Sequence, residues 1–372
     1  MTFEKWNLKL LPPSFSPWSP ESDPSRQIVV LMSGGVDSST AAYLLKEDGW
    51  DVLGITMKIP TACDNSKTSC CGADAAFVCN EINIPHYFID VTEPFQKLII
   101  DNFRESYAKG LTPNPCVDCN TLLKFSLVWD FLTSHFGIKY LATGHYARVI
   151  KSDNKAYLAR ADDKTKDQSY FLYGIAADKL PFLVLPLGEI SKTKVRSIAA
   201  KLNLSVAEKS ESMELCFAAQ GDYRQALIPE VANQPGNMTD MQGNIIGTHK
   251  GIANYTIGQR RGLGYAGGKP LYVGKVDAAT NTVALGTRDE TSSKIVKAGQ
   301  INILIPESFT TDQKLFAKIR SYNDPQPCII VDISQDIFTV EFDKPKFAPT
   351  PGQKIVLYNS DDYIIAGGTI IK

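Results

Sequence analysis

The sequence has no long apolar run and no excess of positive charge. None of its apolar stretches approaches the roughly 18 residues that a membrane-spanning helix requires, so we expect no membrane attachment of that kind. Its 39 Lys and Arg are balanced by 40 Asp and Glu, which gives a formal net charge of −1. This balance excludes a protein that attracts nucleic acid through its overall charge, and it leaves only a local basic patch for such a partner.

The first residues also lack features that would mark a targeting signal. Residues 1–26 are rich in Pro and Ser, have no apolar signal core, and carry Glu4, Glu21 and Asp23, which suit a transit peptide poorly. We therefore expect a loose N-terminal extension on a cytoplasmic protein. In that compartment cysteines are better interpreted as thiols or ligands than as disulfides. The eight are Cys63, Cys70, Cys71, Cys79, Cys116, Cys119, Cys216 and Cys328.

The composition and hydrophobic pattern of the remaining chain change twice. Short apolar runs alternate with helix-spaced patterns up to about residue 205, which predicts an α/β fold with a parallel sheet and helices on both faces. A stretch rich in Gly, Asn and Gln follows. From residue 288, short β-rich runs between turns indicate a small antiparallel barrel. We therefore predict an α/β catalytic domain at 27–214, a mixed central domain at 215–287 and a β-barrel domain at 288–372.

Within the α/β part the pattern predicts individual elements. Three strands are expected at Gln27–Leu31, at "DVLGITMKI" and at "HYFIDV", and a fourth begins "YLATGHYARVI". Helices are expected at Thr40–Asp48, Asp74–Glu81, Pro94–Ala108 and Asn120–Phe136.

The string Ser33-Gly34-Gly35-Val36-Asp37-Ser38 stands between the first strand and the first helix. Glycines there let backbone N–H groups approach an anion, and the helix dipole adds partial positive charge. The string lacks the Gly-Lys-Ser/Thr end of a Walker A loop and is not G-x-G-x-x-G. It resembles the PP-loop of the ATP pyrophosphatases, which implies ATP cleavage between the α- and β-phosphates. Asp37 is then a candidate Mg²⁺ ligand, or alternatively a helix cap.

Further motifs narrow the resemblance. "LTPNPCVDCNTLLKF", "SESMELCFAAQGDYR", "ATGHYAR", "KDQSYFLY", "YTIGQRRGLG" and "PGQKIVLY" are similar to segments of the tRNA-specific 2-thiouridylases, the MnmA/TrmU family. The resemblance implies ATP-dependent formation of 2-thiouridine at the wobble position of tRNA. Another PP-loop enzyme that adenylylates a small metabolite is the alternative, and it gives Cys119 and Cys216 no role. A non-catalytic RNA-binding protein with a degenerate loop is a further one, which the intact SGGVDS string opposes.

The resemblance also assigns residues. Cys119 matches the nucleophile and Cys216 the cysteine that carries a persulfide. Asn114, Pro115 and Cys116 match the target-base segment. The ATP pocket matches Val30, Leu31, Met32, Ser33, Gly34, Gly35, Val36, Asp37, Ser38, Met57 and Gly144, and the tRNA contacts match His145, Lys166, Asp167, Gln168, Arg320, Ser321 and Gln353.

The implied partners are the tRNA anticodon arm and a persulfide donor or relay protein. We expect the protein itself to be a monomer. One position departs from part of the family: Cys116 stands where some members have Asp. It forms a C-x-x-C with Cys119 and, with Cys216, offers three thiolates to an iron–sulfur ([4Fe-4S]) cluster. We favour the persulfide route. The cluster stays as its alternative, because the C-x-x-C spacing suits both redox chemistry and metal binding.

The other cysteines call for plainer interpretations. Cys63, Cys70, Cys71 and Cys79 suggest zinc at first, but they lack paired C-x-x-C units, and Cys79 fits a helix core. Cys328 lies in a β-run and suits packing. Seven basic residues are candidates for one basic face despite the neutral total: Arg148, Arg160, Lys164, Lys166, Arg260, Arg261 and Arg320.

Overall fold

The computed structural model describes residues 3–60, 71–153, 155–209, 215–218, 223–265 and 268–372. The chain forms two compact units. The first comprises Met1–Leu98, Val117–Cys216 and Asp362–Ile364, and the second comprises Ile99–Cys116, Phe217–Asp361 and Ile365–Lys372. The units therefore do not follow chain order alone, since residues 99–116 belong with the later part of the chain.

The regular elements of the described residues are as follows. The strands are β1 (Lys9–Leu10), β2 (Gln27–Leu31), β3 (Asp51–Lys58), β4 (His86–Asp90), β5 (Tyr140–Thr143), β6 (Ala147–Ser152), β7 (Lys155–Arg160), β8 (Leu183–Val184), β9 (Gly236–Asp240), β10 (Ile245–His249), β11 (Tyr272–Asp277), β12 (Thr282–Gly286), β13 (Ser292–Ile303), β14 (Lys314–Lys318), β15 (Gln326–Ser334), β16 (Ile337–Phe347), β17 (Lys354–Tyr358) and β18 (Ile364–Ile370). The helices are α1 (Val36–Glu47), α2 (Cys71–Glu81), α3 (Thr92–Phe95), α4 (Asn102–Ala108), α5 (Pro115–Asp118), α6 (Trp129–Phe136), α7 (Lys192–Lys201) and α8 (Pro229–Ala232), with π-helical segments at Gln96–Asp101 and Cys119–Val128.

The first unit is built on a six-stranded sheet in the order β1-β4-β3-β2-β5-β8. The neighbours from β4 to β8 run parallel, and only β1 runs antiparallel. From β2 the chain steps outward to β3 and β4, then returns to place β5 on the other side of β2. The reversal of strand order therefore lies between β2 and β5, where open α/β sheets bind their ligands.

Burial of β2 on both faces explains its continuous apolar sequence. Ile28 and Val30 belong to a core cluster shared with buried residues of α1, α2 and α7. Val29 and Leu31 point to the opposite face because strand side chains alternate, and they are buried as well. The predicted α/β class and its covered parallel sheet are confirmed.

The helices follow the predicted positions with different ends. Helix α1 begins at Val36, four residues before the predicted start at Thr40, because Gly35 already stands as its N-cap. The helix predicted at Asn120–Phe136 begins at Pro115, and Pro is favoured in the first turn of a helix. Both long predicted helices also contain π-helical turns, which the apolar spacing did not reveal.

Part of the N-terminal segment is not loose as predicted. Strand β1 pairs with β4, and backbone N–H groups of Leu11 and Ser14 donate to carbonyls of β4 at 2.8 Å. The N–H of Ser22 donates to Oδ2 of Asp51 at 2.7 Å. A free sheet edge needs backbone partners, and this segment supplies them.

The second unit contains two β-structures. A four-stranded sheet has the order β10-β9-β12-β11 around a core that includes Met238, Val273 and Leu285. A closed barrel has the order β13-β16-β15-β14-β17-β18, with antiparallel neighbours and inward residues such as Phe338 and Val340 fully buried. The predicted C-terminal antiparallel barrel is confirmed. Among the residues described, no helix is both long enough and apolar enough to span a bilayer.

Acid should weaken the first unit through His86, in β4. The ring nitrogens of His86 lie 2.8 Å from Ser14 Oγ and 2.8 Å from Thr56 Oγ1, and burial lowers its pKa from 6.5 to about 4. Between these two values the unfolded chain binds a proton that the folded chain does not, so stability is full above pH 6.5 and falls as the pH drops toward 4. His86→Gln should remove about 1–2 kcal/mol of the loss in unfolding free energy between pH 7.5 and pH 5.

Urea unfolding followed by tryptophan fluorescence measures this, since all four tryptophans (Trp6, Trp18, Trp50 and Trp129) lie in the first unit. His135→Gln, at an exposed position, is the control and should keep the wild-type pH dependence. Identical pH dependence in His86→Gln and the wild type would contradict the assignment.

Candidate functional site

The Ser-Gly-Gly turn lies at the carboxyl end of β2, where the strand order reverses. Residues Val30 and Leu31 end the strand, Met32 is buried, and Ser33 is exposed at the start of the turn. Met57 stands near the carboxyl end of neighbouring β3, and Gly144 directly follows β5 on the other side. The fold thus brings three separate parts of the predicted ATP pocket to one edge of the sheet.

Hydroxyl groups fix the turn from inside. Ser38 Oγ accepts a hydrogen bond from the Ser33 N–H at 3.1 Å, lies 3.1 Å from Ser33 Oγ and donates to the Gly35 carbonyl. Ser39 Oγ donates to the same carbonyl at 2.9 Å. Gly34 has a φ of +69°, a conformation that glycine adopts without strain. The turn is therefore preorganised with its small residues at the N-terminus of α1, the arrangement that binds anions.

Gly144 allows the strand end of β5 to approach α1. A Cβ at residue 144 would lie 2.6 Å from the Ser38 nitrogen and 2.7 Å from the Asp37 carbonyl carbon. Both neighbours are backbone atoms of the first turn of α1, so they cannot give way as a flexible side chain could. Only glycine fits here without displacing that backbone, and the place of Gly144 in the ATP pocket stays a prediction.

Asp37 is held by a lysine from a distant part of the sequence. Lys192 Nζ lies 2.7 Å from Oδ1 and 2.8 Å from Oδ2 of Asp37, and the Tyr146 hydroxyl donates to Oδ1 at 2.8 Å. The Lys192 side chain is 10% exposed and that of Asp37 is 32% exposed. An ammonium group that reaches both oxygens of a half-buried carboxylate fixes the first turn of α1 to the first turn of α7.

The loop that contains Lys166, Asp167 and Gln168 connects to this pair. The Gln168 side-chain oxygen accepts from the Tyr146 N–H at 2.9 Å, and the Gln168 N–H donates to the Tyr146 carbonyl at 2.7 Å. At the other end of the loop, Asp163 Oδ2 accepts the Lys192 N–H at 3.3 Å. The predicted tRNA-contact loop is therefore tied to both partners of Asp37.

The side chain of Asp167 is buried and not exposed to solvent. Its side chain is 1% exposed, forms an ion pair with Arg160 at 3.2 Å and accepts the N–H groups of Ala161 and Ser169. Arg160 also pairs with Asp362 at 3.2 Å. The Asp167 carboxylate thus shapes the loop, and a tRNA contact here would come from half-buried Lys166, from Gln168 or from the loop backbone.

A second lysine reaches the turn. Lys209 Nζ donates to the Gly34 carbonyl at 3.0 Å and forms an ion pair with Asp74 of α2. Residues 210–214, which begin the predicted Cys216 segment, lie outside the described residues. Lys209, the last described residue before this gap, is therefore fixed to the turn.

His145 stays neutral in this environment. Its Nδ1 lies 2.8 Å from Thr143 Oγ1, and burial, with a further contribution from the Lys124 charge, lowers its pKa to about 3. A neutral imidazole makes hydrogen bonds but brings no charge to a phosphate.

Cys119 opens the π-helical segment and is half-buried. The residue after it is fixed on both sides, because the Asn120 amide donates to the Phe171 carbonyl and its oxygen accepts from Lys124 Nζ, each at 3.0 Å. Cys116, in α5, and Cys216 are both exposed. The predicted pairing of Cys119 with Cys216 stays a prediction.

In the second unit, the structure joins two predicted contacts that are far apart in sequence. Gln353 Nε2 donates to the carbonyls of Thr112 and Pro113 at 3.0 Å, and its Oε1 lies 3.5 Å from Asn114 Nδ2. The segment that begins the target-base motif therefore rests on a residue of the barrel.

Arg320 makes internal bonds. Its Nη2 donates to the carbonyls of Ile257 and Ala348 and to Thr350 Oγ1, at 2.8–3.2 Å. The neighbouring Ser321 is half-buried. Several of the basic residues that the sequence suggested for one basic face therefore bind partners within the protein. Arg160 is buried, and Arg148 and Lys164 form ion pairs. Arg260 and Arg261 are exposed.

The remaining cysteines divide by burial. Cys79 and Cys328 lie in the two cores, as predicted, and burial raises the pKa of each thiol to about 12, so neither is a thiolate at neutral pH. Cys63, Cys70 and the side chain of Cys71 lie outside the described residues. Across the described ranges, no three His, Cys, Asp or Glu side chains are grouped as metal ligands.

The sequence interpretation missed Lys192, Lys209 and Tyr146. One signal for Lys192 was present. "SKTK" puts lysines into the first turn of a helix capped by Ser191, where the dipole favours acidic residues. A buried lysine at that position requires a carboxylate partner, but sequence alone does not say which.

Gly144→Ala should weaken binding of an ATP analogue by about tenfold or more, because the added methyl group displaces the first turn of α1. Equilibrium binding measures this. The control is Gly247→Ala in β10, where a Cβ would meet nothing closer than 4.0 Å. Wild-type affinity in Gly144→Ala would show that the close approach does not shape the pocket.

Three family models match the chain in succession. They are described as the tRNA methyl transferase HUP domain at residues 26–220, the tRNA methyl transferase PRC-barrel domain at 224–287 and the aminomethyltransferase beta-barrel domain at 293–371.

Close relatives match along nearly the whole length. A tRNA-specific 2-thiouridylase MnmA from Lachnoclostridium phytofermentans is 41% identical over 93% of this chain and 100% of its own. Another from Carboxydothermus hydrogenoformans is 42% identical over 93% of this chain and 98% of its own. Among solved structures, the chain is similar to NMN synthetase from Francisella tularensis over 54% of this chain and 71% of that one, at 18% identity and a TM-score of 0.34.

Both the domain series and the full-length relatives agree with the motifs, and the chain belongs to the family of tRNA-specific 2-thiouridylases.

Proposed function

We propose that this protein is an ATP-dependent tRNA-uridine 2-sulfurtransferase that makes 2-thiouridine at the wobble position. The observation that carries the proposal is the preorganised SGGVDS turn at the strand-order reversal, in a chain of this family that retains Cys119 and Cys216. The turn supplies the nucleotide site, and the two cysteines supply the sulfur chemistry.

The first step activates the uridine. Its C2 oxygen is a poor leaving group, so the oxygen attacks the α-phosphate of ATP and pyrophosphate departs. The oxygen is then part of AMP, which leaves readily. The N–H groups of the turn and the N-terminus of α1 would hold the pyrophosphate end.

The second step replaces this oxygen by sulfur. The outer sulfur of a Cys216 persulfide attacks C2, and AMP leaves. The Cys119 thiolate then attacks Sγ of Cys216 and releases the thiouridine, with a disulfide between the two cysteines as the second product. Alternatively, Cys119 first releases hydrosulfide from the persulfide, and the hydrosulfide attacks C2. Both routes end with a disulfide that an external thiol must reduce.

Asp37 is the candidate ligand for Mg²⁺. The Asp37 carboxylate stands in the first turn of α1, beside the turn that would hold the phosphates, and carboxylate oxygen is the ligand type that Mg²⁺ prefers. Bound there with ATP, the ion would neutralise phosphate charge.

The tRNA would contact both units. The candidates in the first unit are His145 and the 166–168 loop, and those in the second are residues 114–116, Arg320, Ser321 and Gln353. A wobble base must leave its stack for C2 to reach a sulfur nucleophile, so a flipped base is expected. Because Arg320 is bonded internally, we assign its side chain to holding the segment and expect its neighbours to meet the RNA.

The sulfur reaches exposed Cys216 from outside. A persulfide on a donor or relay protein would transfer its outer sulfur to the Cys216 thiolate, and a thiol at the surface is accessible to such a partner.

The iron–sulfur alternative uses the same cysteines differently. Thiolates of Cys116, Cys119 and Cys216 are the soft ligands that a [4Fe-4S] cluster takes, and Cys116 is the residue that makes the third ligand available. A cluster held by three thiolates would supply an open iron for inorganic sulfide.

Cys119→Ser and Cys216→Ser should each abolish thiouridine formation on unmodified tRNA while binding of an ATP analogue stays at the wild-type level, because neither side chain belongs to the nucleotide turn. Mass spectrometry of the nucleosides and equilibrium binding measure the two properties. Cys328→Ala, in the barrel core, is the control and should keep thiolation. Full thiolation in either serine variant would exclude the two-cysteine mechanism.

The Cys116→Asp variant distinguishes the persulfide route from the cluster route. Thiouridine and AMP are measured with iron-free protein that is given ATP, Mg²⁺, tRNA and a persulfide donor. We expect thiouridine and tRNA-dependent AMP, because the persulfide route needs only Cys119 and Cys216. Product that appears only after anaerobic cluster reconstitution with free sulfide, in the wild type and not in the variant, would establish the cluster route instead. AMP formed equally without tRNA would favour a small-metabolite substrate.

A further inference from the structure

The SGGVDS turn has no positive side chain of its own. From Ser33 to Ser39 its single charged residue is Asp37, which is negative. The triphosphate of ATP is also strongly negative, and a Walker A loop would neutralise this charge with its own lysine. Cationic side chains at this site must therefore come from elsewhere in the chain.

Lys192 is placed to be that cation. Its ammonium group contacts both Asp37 oxygens at 2.7 and 2.8 Å, at the second residue of α1, next to the turn. Lys192 is itself the first residue of α7. The positive end of the α1 dipole and the ammonium group from the start of α7 therefore both act on a single carboxylate.

This position is electrostatically unfavourable for a lysine that has no anionic partner. The first turn of a helix repels positive charge, and the lysine residue is only 8% exposed. The backbone around it is fixed by Ser191, whose Oγ accepts the Lys194 N–H, and by Asp163, which accepts the Lys192 N–H. The fixed backbone holds the ammonium group at the turn.

We infer that Lys192 is a phosphate-binding cation of the nucleotide site. Without nucleotide it neutralises Asp37; when phosphates enter at the turn, the same ammonium group neutralises them, and the Tyr146 hydroxyl continues to hold Asp37 Oδ1. The Lys192 Nζ also lies 5.6 Å from the Tyr146 ring centroid, so the aromatic face stabilises the charge beside the site. The inference rests on ATP binding at the turn, as proposed above.

The test is equilibrium binding of α,β-methylene-ATP, which resists cleavage between the α- and β-phosphates, to the full chain in EDTA and in Mg²⁺. Lys192→Met should weaken binding by about tenfold or more in EDTA, because the unpaired Asp37 carboxylate then repels the phosphates. The loss should be smaller in saturating Mg²⁺, which can neutralise Asp37. Lys194→Met, exposed on the same helix turn, is the matched control and should bind like the wild type.

A second substitution separates charge from folding. Adding Asp37→Asn to Lys192→Met removes the unpaired negative charge and should recover at least about threefold of the lost affinity in EDTA. If Lys192 served only to hold α7 against α1, Asp37→Asn would not restore binding.

Each outcome has one meaning. Unchanged affinity in Lys192→Met, or a loss that Asp37→Asn fails to relieve, overturns the role of Lys192. Absence of analogue binding by the wild type overturns the proposed function itself. Weakened binding with recovery in the double variant supports both.

Discussion

The contact between the Asp37 carboxylate and the Lys192 ammonium group is the constraint on which the site depends. It joins the first turns of two helices that are 155 residues apart in sequence, at the strand end that carries the glycine turn. A partly buried ion pair of this kind holds its geometry only when its remaining bonding capacity is filled, and here the Tyr146 hydroxyl fills part of it. The turn, the strand end at Gly144 and α7 are positioned together as a result.

The same pair connects the glycine turn, the proposed nucleotide site, to the 163–168 loop. Asp163 accepts the backbone N–H of Lys192, and Gln168 makes two hydrogen bonds with the backbone of Tyr146. The buried pair of Asp167 with Arg160 keeps the loop in shape. A loop held at both ends to the partners of Asp37 gives the protein a physical connection between a proposed RNA contact and the proposed ATP site.

Cysteine chemistry in this protein is separated by burial. The thiols of Cys79 and Cys328 have pKa values raised to about 12, because desolvation opposes the thiolate, and they contribute packing only. Cys116 and Cys216 are exposed, and Cys119 is half-buried at the start of a π-helical segment, where helix irregularities commonly accompany function. The difference in exposure determines which thiols a reagent or a partner can reach.

The sequence by itself determined the fold class, the glycine turn, the barrel and the motifs of the family, because these rest on local periodicity and on contiguous strings of residues. It could not determine that Lys192 meets Asp37, that Gln353 supports the segment of Asn114, that Asp167 is buried or that residues 9–10 cover a sheet edge. Those contacts join residues from about 80 to about 240 positions apart, or depend on which face a side chain takes, and local patterns carry no information on either. Only the tertiary structure decided them, since crossover connections and burial bring distant residues to one strand end.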